Sequence, residues 1–367
     1  MIMQGIRRVG EERIPSLPPN VGMDAQGMDA QWREVACALC GTTGGRPILE
    51  VPHPDAPNGI SRVVRCESCG LRRLNPRPDQ SIIGRYYGDD YNAFAGRRRG
   101  VVKQAIWDFL RDVSSQAPGR GRRWRFARPL VRPLAEWAFD INVSLHERGQ
   151  LRVLEVGCGY GDLLMYLQSR SCEVLGVDRD ARTRSAGTVR GIPIHIGELR
   201  TLQLPDAVFD VAILCHSLEH LPDPARELRE LARLVRPGGH LHVAVPNGDA
   251  VGLRLQGAGW PHLSHPVHFW FFDTRTLTVL LERCGFVPVR APYSTSRHHY
   301  VIRWLHEMHS EGVIAASRRF WRYLGASAAS DDGGDVLRVV ARRLGSAVGS
   351  SHGGGRRGQD LRGSESE

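Results

Sequence analysis

Three groups of residues in this chain of 367 have the types and spacing to do chemistry. The first is Cys37-Ala-Leu-Cys40-Gly41 with Cys66-Glu-Ser-Cys69-Gly70, two turns of the form C-x-x-C-G. Two such turns offer four thiolates at tetrahedral reach, the ligand set of a closed structural zinc site. A closed site leaves no position for substrate, so this metal would hold structure and not catalyse. The second group is Glu155-Val-Gly157-Cys-Gly159-Tyr-Gly161. Glycines straight after a buried strand let backbone pass close to a ligand and turn tightly into a helix. Their G-x-G-x-G spacing is not the G-x-G-x-x-G of dinucleotide binders, so the ligand need not carry a pyrophosphate. Asp178 closes the next apolar run, Glu173-Val-Leu-Gly-Val-Asp178, where an acid can accept both hydroxyls of a ribose. The third group is histidines: His216 and His220 in Cys215-His-Ser-Leu-Glu-His220, and His262, His265 and His268 in Trp260–Phe272. His216 ends an apolar run, and an imidazole there can take a proton near neutral pH or simply shape a pocket. His220 can equally cap a helix through Glu219 or backbone. The Trp260–Phe272 histidines lack an accompanying carboxylate or cysteine pattern, so an aromatic cover over a ligand is favoured over a metal site.

Something must position these groups. Leu151–Val156, Cys172–Asp178, Ile192–Gly197, Val208–Cys215 and His240–Pro246 read as strands, with helical segments between them. That alternation predicts an α/β fold, a Rossmann-like doubly wound and mostly parallel sheet. Around it the chain divides by composition. Residues 1–31 read as disordered, with Pro15, Pro18 and Pro19 and a tandem Gly-Met-Asp-Ala-Gln that makes Met23 and Met28 alternative starts. Residues 32–80 are the ribbon, with short β runs at Pro47–Val51 and Arg62–Arg65. Residues 81–148 read as a basic, aromatic helical arm, 149–310 as the α/β domain and 311–345 as a C-terminal helical segment. Residues 346–367 read as a disordered tail.

Residues 150–290 resemble the class I S-adenosylmethionine-dependent methyltransferases. The resemblance rests on Glu155-Val-Gly-Cys-Gly-Tyr-Gly161, Gly176-Val-Asp178, Phe209-Asp210, Ser217-Leu-Glu-His-Leu221 and Arg236-Pro-Gly-Gly239. It implies that Glu155, Gly157, Gly159 and Gly161 face the methionine part of the cofactor and that Asp178 binds its ribose. Glu198 and Leu199 would flank the adenine, with Glu198 standing where the family often has Asp. His216, His220 and His268 become the catalytic candidates, with His268, Phe272 and Thr274 in the region that covers the acceptor. The sulfonium methyl is already activated, so alignment should dominate the rate. Holding reactants in line can supply ~7–11 kcal/mol, against ~10²–10⁴-fold from a general base. The text after the second Cys pair, Leu71–Pro78 and then Tyr86, Tyr87 and Tyr91, is similar to zinc-ribbon methyltransferases of sugars, polysaccharides and natural-product intermediates. In the sugar C-methylating branch such tyrosines reach the active site. Tyr87 and Tyr91 are candidates on that footing, beside an ordinary packing role.

Composition narrows the field. The formal charge is +10, yet Lys103 is the only lysine. It lies in Val-Val-Lys-Gln-Ala, so a phosphate-binding loop of the Gly-Lys-Ser/Thr type is excluded, and a Schiff-base lysine is disfavoured. No run of 18 mainly apolar residues suggests a membrane span, and the first residues lack a secretory apolar core. A cytoplasmic location follows as the expectation, with the remaining cysteines (Cys158, Cys172, Cys215 and Cys284) as core thiols. Residues 97–133 hold eleven basic side chains against two acidic, a net +9, interleaved with Trp107, Phe109, Trp124 and Phe126. Such a stretch suits an anionic membrane face or a phosphate-bearing acceptor, or else a solvated arm packed on the domain. The expected partner is a small-molecule, sugar or glycan acceptor methylated on oxygen or carbon. The alternative is a nucleic-acid methyltransferase gripping with ribbon and arm. Against it, amino-methylating enzymes of that class resemble one another in an Asn/Asp-Pro-Pro-aromatic run where this chain has His216-Ser-Leu-Glu.

Overall fold

The structure, a computed structural model, describes residues 31–88, 150–295, 312–328 and 333–345. The expected N-terminal disorder (save Gln31), the basic stretch 97–133, Tyr91 and the tail from 346 lie outside these residues.

The first segment is built from short strands: β1 (Trp32–Arg33), β2 (Arg46–Pro52), β3 (Ile60–Arg65), β4 (Arg72–Leu74) and β5 (Arg77–Pro78). The Cys turns sit before β2 and between β3 and β4, as a ribbon requires. Strands β6 (Arg152–Val156), β7 (Glu173–Asp178), β8 (Ile194–Ile196), β9 (Phe209–Cys215) and β10 (Val235–Pro246) follow. Between them run α1 (Asp162–Gln168), α2 (Arg182–Arg190) and α3 (Pro224–Leu234). Asp223 caps α3, its side chain accepting from the Arg226 N–H at 2.9 Å, with Pro224 at the first helical position. Leu228, Leu231 and Leu234 then recur at helical spacing and are fully buried against the sheet. The chain continues through α4 (Val251–Gln256), β11 (Trp270–Phe271), α5 (Thr274–Arg283), β12 (Phe286–Pro288), β13 (Tyr293–Thr295), α6 (Val313–Ala328) and β14 (Val336–Arg343).

Among the described residues the large sheet runs β12-β14-β10-β9-β6-β7-β8, with β13 also on β14. The five strands from β10 to β8 are parallel, and β14, β12 and β13 add antiparallel pairs at one edge. This is the expected Rossmann-like, mostly parallel sheet. Chain order reverses between β6 and β9, and ligands of such sheets bind at the carboxyl ends beside that point. The glycine loop leaves β6 there, and His216 leaves β9 there.

Three expectations need correction. The helical reading of 311–345 holds for α6 only, since Val336–Arg343 is a strand. Gly333 and Gly334 separate it from α6, and β-branched Val336, Val339 and Val340 pair antiparallel to β10 from Val336↔Pro246 to Arg342↔His240. The α/β domain therefore does not end at 310, because its sheet is completed by β14. Strand β10 also begins earlier than His240: Val235 already pairs with Phe209, and the register shifts before His240 resumes against Val211.

The ribbon is not a separate module. Its sheet has the order β11-β4-β3-β2, so Trp270 and Phe271 of the histidine-rich segment form its edge strand. Arg72 extends the join to Asp249 at 2.5 Å and Asp273 at 3.3 Å, and Arg283 donates to the Leu39 carbonyl inside the first Cys turn.

Candidate active site

The glycine loop is shaped by its backbone. Gly157, Gly159 and Gly161 all have positive φ, at 75°, 51° and 72°. Gly157 also has no room for a side chain, because a Cβ there would stand 2.5 Å from Cβ of Ser217. The loop is tied to the end of β7, where Asp178 Oδ2 accepts the Gly159 N–H and Oδ1 accepts the Asp180 N–H, both at 2.8 Å. Burial raises the Asp178 carboxyl, and these N–H bonds work against that rise. Glu155 lies beneath the loop, buried, with Oε2 lacking a hydrogen-bond partner. Burial first, then the charges of Asp162 and Asp178, raise its carboxyl well above the ordinary 4.5. A buried acid with an orphan oxygen beside a glycine cradle suits a cationic ligand group, so these residues fit the ammonium end of S-adenosylmethionine.

Glu198 and Leu199 differ from each other. Leu199 is buried in the main core. Glu198 turns its carboxylate outward to Arg179 at 3.1 Å and Arg200 at 2.7 Å. Of this pair only the Leu199 side chain is buried.

His216, His220 and His268, scattered in sequence, meet around Glu219, whereas His265 packs on Trp32 and His53 of the ribbon segment. That acid is fully buried, and neither carboxylate oxygen has a hydrogen-bond partner. Its Oε1 lies 3.6 Å from Nδ1 of His216 and 3.9 Å from Nε2 of His268. Burial raises the Glu219 carboxyl, and the facing imidazoles, His216 foremost, reverse the sign and lower it. Burial lowers His220, and it lowers His268 to about 3, so both rings are neutral at pH 7. The rings of His220 and His268 meet edge to face at 4.5 Å, and His216 stacks on His262 at 6.5 Å. His216 is held at φ 51°, an uncommon conformation for a residue other than glycine and one that accumulates at functional sites. Its backbone N–H donates to Ala244 on β10, which fixes that turn at 2.8 Å.

Ribbon and site are joined at this point. Phe269 N–H donates to the Glu219 carbonyl and Leu74 N–H to the Phe269 carbonyl, each at 2.9 Å. Trp270 Nε1 donates to Leu221 O at 2.7 Å, and Arg77 donates to Pro222 O at 3.0 Å while lying over the Phe269 ring at 4.5 Å. Tyr87 places its hydroxyl oxygen 3.0 Å from Nδ1 of His220, as the resemblance to ribbon enzymes allowed. Sequence reasoning missed Glu219 as the centre. Its only local signal was an acid beside a histidine just after a strand.

The four cysteine sulfurs also converge. Cys37–Cys69 and Cys40–Cys66 are each 3.4 Å apart, and all four lie within 4.8 Å of one another. A tetrahedral thiolate site with bonds of about 2.3 Å has sulfurs roughly 3.8 Å apart, so the set fits one such cation.

Residues 109–291 match the family described as "Methyltransferase domain". Over much of that stretch the chain is similar to S-adenosylmethionine-dependent methyltransferases. A Mycolicibacterium smegmatis protein named "Probable S-adenosylmethionine-dependent methyltransferase" is 37% identical over 139 residues, 36% of this chain and 51% of that protein. A "Ubiquinone biosynthesis O-methyltransferase" of Aeromonas salmonicida is 34% identical over 157 residues, 41% of this chain and 64% of that enzyme. The chain thus spans about half to two thirds of these curated relatives. Among solved structures, an S-adenosylmethionine-dependent methyltransferase of Mesorhizobium loti aligns at 22% identity and a TM-score of 0.42, covering 57% of this chain and 98% of that one. The matched stretch has its glycine loop and its histidine cluster on the ends of neighbouring strands β6 and β9.

Proposed function

We propose that this protein transfers a methyl group from S-adenosylmethionine to oxygen or carbon of a small-molecule, sugar or glycan intermediate. The observation that carries this reading is the pairing of two unlike half-sites across the β6–β9 reversal. One half is anionic and glycine-lined: Glu155, Gly157, Gly159, Gly161 and Asp178, with Leu199 and the Glu198 backbone beyond. It takes the cofactor, whose sulfonium supplies an activated methyl group. The other half is lined by His216, His220, His268 and Tyr87 and takes the acceptor. His216 has 31% of its side chain exposed and His220 is half-buried, whereas His268 and Glu219 behind them are buried. His216 accepts the acceptor's proton, and Glu219 orients it, whereas His220 and His268 shape the pocket floor. The O-methyltransferase among the relatives supports a hydroxyl acceptor.

Zinc on Cys37, Cys40, Cys66 and Cys69 is part of the same proposal, with a structural role. Its ribbon holds the segment that carries His268. A docking role for residues 97–133 on an anionic surface or a phosphate-bearing acceptor also belongs here, supported by their net charge of +9. Among the described residues no helix is long and apolar enough to cross a membrane. The test is incubation of the purified protein with methyl-labelled S-adenosylmethionine and fractionated cell extract, followed by mass spectrometry. A labelled small molecule or glycan is the expected result. Label found only in RNA or DNA, or no cofactor binding by titration, overturns the reading.

A further inference from the structure

The Glu219 cluster has a feature that acid–base chemistry does not require. Nδ1 of His220 lies 2.9 Å from the Val267 carbonyl, and Nδ1 of His268 lies 2.8 Å from the His262 carbonyl. A carbonyl oxygen can only accept, so in both rings Nδ1 carries the hydrogen and Nε2 keeps its lone pair. Tyr87 Oη, close to the same His220 nitrogen, then accepts a share of that hydrogen. Both rings are thereby fixed in one tautomer by an outer partner, the arrangement typical of metal-ligating histidines. Glu219 sits beside the His268 ring, its Oε1 3.9 Å from Nε2, fully buried and with neither oxygen within hydrogen-bond distance of a partner. One ligand atom from each of Glu219, His220 and His268 can be chosen so that all lie within 4.8 Å of one another. Bonds of about 2.0–2.2 Å to a common ion would need each atom to draw in by under about 1 Å.

We propose that Glu219, His220 and His268 bind a divalent transition-metal ion, a second metal site distinct from the cysteine ribbon. Two imidazole nitrogens with one carboxylate favour zinc, iron, cobalt or nickel over magnesium or calcium, which prefer all-oxygen shells. Three protein ligands leave a position open. The site lies just past the carboxyl end of β9, on the side where the proposed function puts the acceptor. An acceptor hydroxyl bound there would become more acidic. That role rests on the methyl-transfer reading; the binding of the ion does not.

Cobalt(II) is the probe. The full-length protein is loaded with cobalt under reducing conditions, and metal per chain is counted by elemental analysis. The expected result is two cobalt ions per chain, one giving intense thiolate charge-transfer absorption and the other only weak d–d bands. Glu219→Gln and His268→Gln should each lose the second ion and keep the thiolate bands. One cobalt per chain in the unaltered protein, or a second ion retained by both variants, overturns the proposal. Should either variant fail to fold, anomalous diffraction at the cobalt edge on the unaltered protein decides. A peak within bonding distance of Glu219, His220 and His268 supports the site, and a peak at the cysteines alone overturns it. Cobalt bound here without labelled product would sink the methyl-transfer reading and leave the metal site standing. Labelled product from a protein with ribbon metal alone would do the reverse.

Discussion

Trp270 pairs with Arg73 across an antiparallel strand contact that joins two segments almost two hundred residues apart in sequence. The pairing ties the cysteine ribbon to the histidine cluster, because His268 stands two residues before Trp270. Stripping the ribbon of metal should therefore damage catalysis more than cofactor binding. A strong chelator, or Cys40→Ser with Cys69→Ser, should lower kcat/KM by about 10²-fold or more, the cost of an ångström-scale misplacement. The dissociation constant for S-adenosylmethionine should move little, since the glycine loop and Asp178 make their contacts within the parallel sheet. Calorimetric titration beside a steady-state assay checks this. Equal losses in both would mean that the ribbon supports the whole domain and not the acceptor half.

Asp178 and His216 should separate in the opposite sense. Asp178 receives the Gly159 N–H at 2.8 Å, so its loss frees the loop and, on the proposed function, removes a ribose acceptor. Asp178→Ala should weaken cofactor binding by roughly 10- to 100-fold, the range of one charge-assisted hydrogen bond. His216→Ala should leave that affinity nearly unchanged and cut turnover by about 10²–10⁴-fold. Undiminished cofactor binding by Asp178→Ala would remove Asp178 from the site.

Gly157 allows a sharper test, because two separate reasons exclude a side chain there. Its φ of 75° is unfavourable for any L-residue, at about 1–2 kcal/mol, and a Cβ would stand 2.5 Å from the Ser217 Cβ. Gly157→Ala should destabilise the protein in a denaturant titration and weaken cofactor binding. Adding Ser217→Gly should recover the steric part and leave the conformational part. If the double variant is no better than the single one, the contact with Ser217 is not what keeps this position a glycine.

Much of this was legible locally. The glycine loop, Asp178, both Cys turns and the five parallel strands each announce themselves within a dozen residues. What was not legible depends on pairing between distant segments. Val336–Arg343 read as helical because its arginines and alanine suit a helix, and only the exposed edge of β10 makes it a strand. Trp270–Phe271 is too short to read as a strand, and it becomes one because β4 offers a free edge. Glu219 looked like a neighbour of His220 until Val267–Phe269 folded back over it. Its importance lies in burial without a partner, which spacing does not record.

Glu155 gives the molecule a pH dependence whose sign can be worked out. Burial raises its carboxyl well above the ordinary 4.5, so the folded apoprotein holds this proton at pH values where the unfolded chain has released it. That contribution to apoprotein stability is complete below the ordinary carboxyl value and is lost as pH rises through the raised one. Binding of a cationic cofactor needs the carboxylate, so binding should expel the proton, and affinity should rise with pH over the same window. Calorimetry in buffers of different ionisation enthalpy measures the proton directly. The expected result is net proton release for the unaltered protein and none for Glu155→Gln, whose affinity should be lower and flat with pH. Proton uptake, or an unchanged pH slope in Glu155→Gln, would show that Glu155 does not face the bound cofactor's charge.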